Sequence, residues 1–333
     1  MRRNVALIAP EEKRRLVWSD EAAARAEACG FQMRFGDAPS PELLSGCDAV
    51  MTTWGSALMN GAVLSEFPEI RILGHAAGSV GVVTDASTYD CLKVVTANPV
   101  MAEYVAQWQV MMVLAEKRRL FPLARFRDGE ILDWNRKKTI QPLETPVIGI
   151  WGYGDITRAL LRDLLPLDPG RILVFSRHAS GEELARYGAE KVDSLEELLP
   201  QSRIFLCNAA LTEESFRRLD AARLALLPDN AAVINSGRAN LIEPEALRRE
   251  LENGRLHAIL DVFWEEPLPL DSRWNRCPNL IMTPHMAAGG GAKRYALHIL
   301  EEFQRFFRGE ALCSEITKKR FATMGNDHLA VIR

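Results

Sequence analysis

The sequence lacks the features that mark several large classes of protein. Its 41 Lys and Arg residues nearly balance its 44 Asp and Glu residues, which leaves a formal net charge of -3 and a pI near 6.1. Such a balance provides no electrostatic surface for DNA, RNA or an anionic membrane. No stretch approaches the roughly 18 uninterrupted apolar residues of a membrane span. With no internal repeat or low-complexity segment either, we expect a globular protein with no nucleic-acid or membrane partner.

Cysteine is present but is not arranged for disulfides or zinc. The six cysteines are scattered, with no C-x-x-C pair and no histidine at zinc-ligand spacing. This favours free thiols in a reducing cytoplasm and predicts no metal site. The basic and briefly apolar start could open a signal peptide, but Pro10 and the charged residues 11–15 interrupt it. A first β-strand and a cytoplasmic location are therefore expected.

A chain of 333 residues suits two domains, and short apolar runs alternate with amphipathic stretches as in parallel α/β sheets. Before residue 100, strands are predicted at residues 5–9, 49–53, 70–74 and 94–96, with helices at 19–29 and 57–67. Asn98-Pro99 is predicted to break the pattern. Residues 103–120 are predicted to form a long helix, and the polar stretch 121–146, with three prolines, an arm or linker.

A second α/β series begins at Val147. Strands are predicted at residues 147–151, 171–175, 204–207, 231–235, 258–262 and 280–283, with helices between most of them and a final helix at 292–307. Six strands with crossover helices are the content of a doubly wound nucleotide-binding domain. The predicted fold class is therefore α/β, with two doubly wound, Rossmann-like or flavodoxin-like parallel-sheet domains.

A glycine-rich turn follows the first strand of the second series. Gly152 would make the tight turn, and Gly154 would let backbone N–H groups approach a pyrophosphate at the start of the next helix. Thr157 stands where this fingerprint normally has glycine, and a glycine turn alone is often only a turn. The order of strand, turn and helix favours a dinucleotide held by five consecutive residues, Gly152, Tyr153, Gly154, Asp155 and Ile156.

The next strand ends without the acid that an NAD site usually places about 20 residues after the turn. Residues 171–175 are followed by Ser176, Arg177 and His178. Nothing in this segment repels a 2′-phosphate, and its side chains suit one, so NADP(H) is the favoured cofactor. The alternative is a solvated Arg177 beside a site that accepts NAD(H).

Three charged or titratable residues each follow a predicted strand in the last third of the chain, namely Arg238, Glu266 and His285. Ligands bind at the carboxyl ends of the strands in open α/β sheets. A guanidinium can bind a carboxylate through two hydrogen bonds, and an imidazole beside a carboxylate can protonate a carbonyl oxygen. Each residue alone could be an ordinary ion-pair partner, solvated acid or packed histidine. Together they predict a site for a 2-keto acid.

These segments closely resemble the D-isomer-specific 2-hydroxyacid dehydrogenase family over nearly the whole chain. The most specific segments are residues 233–238, 245–254, 260–268 and 278–285. The resemblance implies a substrate domain formed by residues 1–100 and 288–333, with an NAD(P)-binding Rossmann domain, residues 101–287, inserted in it. It also implies a homodimer with contacts from residues 121–141 and the helix before them.

The resemblance also implies roles in the second series. Arg238 would bind the carboxylate and carbonyl of the substrate, His285 would be the acid/base, and Glu266 would be its partner. Asp261 would lie near the nicotinamide. Three further residues would complete the cofactor site, namely Asn208, Ser236 and Gly237.

In the first series, the resemblance points to the loop of Ala77, Gly78 and Ser79, whose backbone N–H groups would hold the substrate carboxylate. Trp54 and His75 would line the same pocket or, equally, serve in packing. Glyoxylate and hydroxypyruvate are the first substrate candidates, because many NADPH-preferring members resemble reductases of these acids.

Some positions depart from the family pattern. Ala239 follows the arginine where glycine is usual, the segment 208–212 lacks the usual proline, and Gln107 replaces the usual glutamate of V-A-E. These departures leave the subfamily and substrate open.

Two other functions stay open at this point. Formate dehydrogenases share the fold and resemble this family, but they have glutamine in place of the glutamate that partners the histidine. The presence of Glu266 therefore disfavours that assignment. A non-enzymatic, dinucleotide-sensing corepressor could retain the catalytic residues.

Overall fold

The computed structural model describes residues 2–121 and 142–325. Within these ranges the chain divides into two compact units. The first unit comprises residues 2–104 and 288–325, and the second comprises residues 105–121 and 142–287. Each unit is built on one parallel sheet, which confirms the predicted fold class.

The first unit contains five strands, β1 Arg3–Ile8, β2 Phe31–Gly36, β3 Ala49–Thr52, β4 Ile72–His75 and β5 Lys93–Thr96. They pair in the order β2-β1-β3-β4-β5, with every neighbour parallel, which is the flavodoxin-like order. Successive side chains of a strand point to opposite faces. Val5 and Leu7 accordingly pack into one apolar core, whereas Ala6 and Ile8 pack into another.

The second unit contains seven strands, β6 Val147–Trp151, β7 Arg171–Phe175, β8 Ala189–Val192, β9 Ile204–Cys207, β10 Ala232–Asn235, β11 His257–Leu260 and β12 Leu280–Met282. Their order is β12-β11-β10-β9-β6-β7-β8, again all parallel. The order reverses between β6 and β9, and ligands of doubly wound folds bind at such a reversal. The C-terminal ends of β6 and β9 therefore mark the expected cofactor position.

The helices of the described residues surround these sheets. They are α1 Glu11–Val17, α2 Asp20–Ala28, α3 Pro41–Leu44, α4 Gly61–Ser65, α5 Thr88–Cys91, α6 Asn98–Lys117, α7 Asp155–Leu164, α8 Gly181–Ala185, α9 Leu195–Leu198, α10 Ala221–Leu224, α11 Pro244–Glu252, α12 Ala292–Arg308 and α13 Lys318–Thr323. The long α12 buries Tyr295, Ile299 and Phe303 in the first unit. It ends at Gly309, whose φ of 72° is the left-handed conformation that glycine adopts without strain. None of the helices described is long and apolar enough to cross a membrane.

Two strands were not expected from the sequence, and both lie at sheet edges. β2 and β8 are the outermost strands on one side of their sheets. The burial of both is interrupted by exposed side chains, and β8 reads Ala-Glu-Lys-Val. An edge strand is partly solvated, so it needs no continuous apolar run. The prediction of six strands in the second series was therefore one too few.

The predicted break at Asn98-Pro99 was also wrong. α6 begins at Asn98, five residues before the predicted start, and ends at Lys117. A proline in the first turn of a helix removes an N–H group that has no partner within the helix, so Pro99 is compatible with a helix start. Most of the predicted arm lies outside the described residues, and the expected homodimer stays a prediction.

Candidate active site

The turn that carries His285 is anchored by Asp261. β11 and β12 are parallel neighbours, so the residues after them meet at one edge of the sheet. Asp261 is fully buried there, and its carboxylate accepts hydrogen bonds from the Thr283 hydroxyl and from the N–H groups of Met286 and Ala287, the last two at 2.8 Å. These three hydrogen bonds fix the turn in which His285 has a φ of 49°. Asp261 thus positions His285, and its predicted contact with a nicotinamide stays a prediction.

Glu266 orients the imidazole of His285. Its Oε2 atom lies 2.7 Å from Nδ1 of His285, and its Oε1 atom accepts a hydrogen bond of 2.8 Å from the N–H of Phe263. The carboxylate is therefore held by the loop that presents it. Because Nδ1 faces this carboxylate, Nε2 is the nitrogen that can serve a substrate. The side chain of His285 is 53% exposed.

The pair also shifts the titration of both groups. The hydrogen bond to Glu266 raises the pKa of His285 against the opposing effect of burial, and the negative charges of Glu266 and Asp261 raise it further. Burial alone would raise the pKa of Glu266, but hydrogen bonds from His285 and Phe263 lower it overall. An imidazolium beside a carboxylate is favoured, which is the state that a proton donor to a carbonyl requires.

Arg238 lies within electrostatic reach of this pair. Its positive charge opposes the rise in the pKa of His285 and adds to the lowering of the pKa of Glu266. The turn after β10 places it, because the buried Asn235 donates to the carbonyl of Arg238 at 2.9 Å and accepts from the N–H of Gly237 at 3.0 Å. The structure therefore brings the three predicted catalytic residues, Arg238, Glu266 and His285, to one region of the second unit.

The glycine turn after β6 fits a dinucleotide. Gly152 has a φ of +107°, and a Cβ there would lie 2.5 Å from the backbone of Asn208, so only glycine suits the position. A Cβ on Gly154 would meet nothing within 4 Å, which leaves this side of the turn open to a ligand. Gly154 also caps α7, whose first N–H groups can bind a pyrophosphate.

Two other residues of the turn contact Arg158. Tyr153 is buried beneath the guanidinium of Arg158, which lies 4.9 Å from its ring centroid. Asp155 and Ile156 form the first turn of α7, and Asp155 pairs with Arg158 at 3.1 Å. The five residues predicted to bind cofactor are thus contiguous at the reversal of strand order.

A buried network of polar side chains connects this turn to the arginine strand. Gln109 of α6 is fully buried and donates to Asn208 at 2.6 Å and to Ser236 at 2.9 Å. Asn208 donates back to Gln109 at 3.0 Å and to Thr157 at 3.2 Å. Thr157, in turn, donates to the carbonyl of Gly152 at 3.0 Å. The threonine that makes the fingerprint incomplete therefore closes the turn by a different bond.

The segment after β7 carries the residues predicted to recognise a 2′-phosphate. The hydroxyl of Ser176 accepts from the N–H of His178 at 3.3 Å. Arg177 is exposed, and it donates to Glu214, in the segment after β9, at 2.5 Å. The predicted cation is present, but it has a carboxylate partner that the sequence did not reveal.

The substrate residues predicted in the first unit lie just after β4. The hydroxyl of Thr96 is 3.1 Å from the carbonyl oxygen of Ala77 and 2.7 Å from that of Gly78. Gly78 is also close to Met101, because a Cβ on it would lie 2.8 Å from the Met101 sulfur. Ser79 follows at the start of a short 3-10 turn and is partly buried. The loop is thus tied to the interior through its carbonyl groups.

Of the two aromatic candidates in the first unit, both take part in packing. Trp54 makes an edge-to-face contact with Tyr295, with ring centroids 5.9 Å apart. His75 is 1% exposed, and its Nδ1 atom lies 3.0 Å from the hydroxyl of Thr52. His75 is therefore part of the interior of this unit.

Sequence reasoning missed the groups that position the site. Asn235 lies in the segment 233–238 and was not predicted to position the site, although asparagine side chains often bond to the backbone of their own turn. Gln109 had a clearer signal, since it lies four residues after Val105 on the predicted apolar face of a helix. A polar side chain on a buried face must find partners there.

Comparison with known proteins supplies the family. Residues 110–287 match the family model described as D-isomer specific 2-hydroxyacid dehydrogenase, NAD binding domain. Glyoxylate/hydroxypyruvate reductase B of Yersinia enterocolitica is 30% identical over 264 residues, which are 77% of this chain and 79% of that protein. The corresponding Citrobacter koseri protein is 32% identical over 259 residues, 72% of this chain and 75% of that one.

The fold has relatives among solved structures as well. A phosphoglycerate oxidoreductase from Rhizobium etli superimposes with a TM-score of 0.78 at 26% identity, covering 94% of this chain and 98% of that chain. Family model, relatives and fold agree with each other. The chain therefore belongs to the D-isomer-specific 2-hydroxyacid dehydrogenase family and is an NAD(P)-dependent oxidoreductase.

Proposed function

We propose that this chain reduces a small 2-keto acid to the D-2-hydroxy acid, with NADPH as the preferred reductant and glyoxylate and hydroxypyruvate as the first substrates to test. The observation that carries the proposal is the 2.7 Å contact between His285 and Glu266 within the field of Arg238. The relatives named glyoxylate/hydroxypyruvate reductase support the choice of substrates. The lack of an acid after β7 supports NADPH.

Each residue has a task in this reaction. The guanidinium of Arg238 binds the carboxylate of the keto acid and also donates a hydrogen bond to its carbonyl oxygen. The protonated Nε2 atom of His285 donates to that oxygen as its negative charge develops. Glu266 keeps the imidazole protonated and oriented beforehand, so that no reorganisation is needed. A bound nicotinamide cofactor supplies the hydride to the keto carbon.

We assign the rest of the binding surface as follows. The glycine turn from Gly152 to Ile156 holds the pyrophosphate, and Ser176 to His178 recognise the adenosine side, while Asn208, Ser236, Gly237 and Asp261 complete the cofactor site. Backbone N–H groups of residues 77–79 hold the substrate carboxylate, with Trp54 nearby. The first unit is then the substrate domain, and the second is the cofactor domain.

A panel of keto acids assayed with both cofactors tests the proposal. Oxidation of NADPH is followed at 340 nm after addition of glyoxylate, hydroxypyruvate or pyruvate, and the panel is repeated with NADH. The expected result is turnover with at least one keto acid and a higher kcat/KM for NADPH. Tight cofactor binding with no turnover of any keto acid would favour a dinucleotide-sensing protein, and a clear preference for NADH would overturn the cofactor assignment.

A further inference from the structure

The ion pair between Arg177 and Glu214 lies where a dinucleotide-binding domain selects its cofactor. Such domains usually have a carboxylate at the end of the second strand, where it accepts a hydrogen bond from the ribose 2′-hydroxyl. The second strand here is β7, and it ends in Ser176-Arg177-His178. The carboxylate next to Arg177 comes from Glu214, at 2.5 Å, in another segment of the unit.

The sheet order shows what this pair spans. β6 lies between β7 and β9, and Arg177 follows β7 whereas Glu214 follows β9. The pair therefore joins the segments on either side of the strand that leads into the Gly152 turn. A carboxylate from the β9 side therefore lies against Arg177, in the segment after β7 that carries no acid of its own.

Glu214 is held there independently of Arg177. Its other carboxylate oxygen accepts from Arg218 at 2.7 Å. Hydrogen bonds to Arg218 and the charge of Arg177 lower the pKa of Glu214, so it is ionised at neutral pH. The loop before it is closed by Ser215, which accepts from the N–H of Thr212 and donates to the carbonyl of Ala210, both at 2.7 Å. Loss of Arg177 would leave Glu214 with one cationic partner.

We propose that Glu214 sets the cofactor selectivity of this enzyme by competing with the 2′-phosphate of NADP(H) for Arg177 and by accepting the 2′-hydroxyl of NAD(H). This inference rests on the proposed dinucleotide site after β6 and β7. An exposed ion pair is weak, whereas a guanidinium binds a phosphate through paired, charge-assisted bonds. Arg177 therefore exchanges Glu214 for the phosphate, and NAD(H) leaves the Arg177–Glu214 pair in place.

Substitution of Glu214 by glutamine tests this directly. Dissociation constants of NADP⁺ and NAD⁺ are measured by isothermal titration calorimetry, and kcat/KM for NADPH and NADH is measured in parallel. In Glu214→Gln the preference for NADP⁺ should rise roughly fivefold to tenfold, because the competitor for Arg177 and the charge facing the phosphate are both removed. Arg177→Gln should lower the same preference. Glu213→Gln, at the exposed neighbouring residue, is the matched control and should leave the ratio of NADP⁺ to NAD⁺ affinity unchanged.

The outcomes separate this inference from the proposed function. A Glu214→Gln ratio equal to that of the natural chain, or equal to that of Glu213→Gln, overturns the role of Glu214 whichever cofactor is preferred. A natural chain that prefers NADH overturns the NADPH assignment, but the ratio in Glu214→Gln still decides the inference. If no keto acid is turned over, the binding constants alone give the same comparison.

Discussion

Glu266 holds Nδ1 of His285 at 2.7 Å with one carboxylate oxygen while the N–H of Phe263 holds the other oxygen. The hydrogen bond raises the pKa of His285. Reduction needs the protonated imidazole, so the rate falls as the pH rises through this raised pKa.

Glu266→Gln should therefore move the basic limb of the reduction profile to lower pH. The neutral amide no longer favours the imidazolium, so the imidazole loses its proton at a lower pH. The measurement is kcat/KM for the keto acid against pH. Glu265→Gln, at the exposed neighbouring position, should leave the limb where it is. A limb that does not move in Glu266→Gln would remove Glu266 from this role.

Asp261→Asn should damage both stability and catalysis. Asp261 accepts from two N–H groups and one hydroxyl, and an amide can present only one acceptor atom to them. We expect a loss of about 2 kcal/mol in the free energy of unfolding, as for a buried donor left without a partner. Urea unfolding measures this loss, and kcat at pH 7 should fall in the folded variant because the His285 turn is released. Full kcat in Asp261→Asn would show that the turn needs no anchor.

Gln109→Leu tests the network behind the cofactor turn. The apolar side chain leaves Asn208 and Ser236 without their buried partner, which should cost about 2 kcal/mol of unfolding free energy. Asn208, which also donates to Thr157 beside the Gly152 turn, is held less firmly, so the Kd for NADPH should rise as well. The matched control is Gln107→Leu, since Gln107 is exposed on the same helix. Equal effects of both substitutions would mean that only the helix itself was perturbed.

Gly154→Ala should separate cofactor binding from folding. Its Cβ would meet no protein atom within 4 Å, so the melting temperature should not change. The methyl group would project into the open side of the turn and weaken NADPH binding, which fluorescence titration measures. Gly152→Ala is the contrasting variant, because its Cβ would clash with the backbone of Asn208 and should lower the melting temperature too. Unchanged NADPH affinity in Gly154→Ala would place the pyrophosphate elsewhere.

The sequence predicted those parts of the fold that depend on buried apolar runs. β6, β7 and β9 have the predicted bounds because their central side chains are buried and apolar, whereas the edge strands β2 and β8 are partly solvated and have no such run. The start of α6 was misplaced because Pro99 was taken as a break. A proline breaks a helix in its interior but is tolerated in its first turn.

For the site, the sequence predicted the side chains that would take part in the reaction. It did not predict the residues that hold other side chains in place. Arg238, Glu266 and His285 each follow a strand, so the parallel sheet alone brings them to one edge. Gln109 and Glu214 bond to partners 99 and 37 residues away in the chain, Asn208 and Arg177 respectively. Such pairings depend on how the segments fold together, and neither residue has a local motif that predicts them.

The role of His285 as proton donor is tested most directly by comparing the natural chain with His285→Gln in keto-acid reduction. The Kd for NADPH is measured alongside kcat with the best keto acid of the panel. We expect kcat to fall by roughly 100-fold or more, the usual contribution of a general acid. The Kd for NADPH should stay within about twofold, since the proposed cofactor contacts do not include His285. Retention of kcat in His285→Gln, or an equal loss of turnover and NADPH binding, would contradict the assignment of His285 as the proton donor.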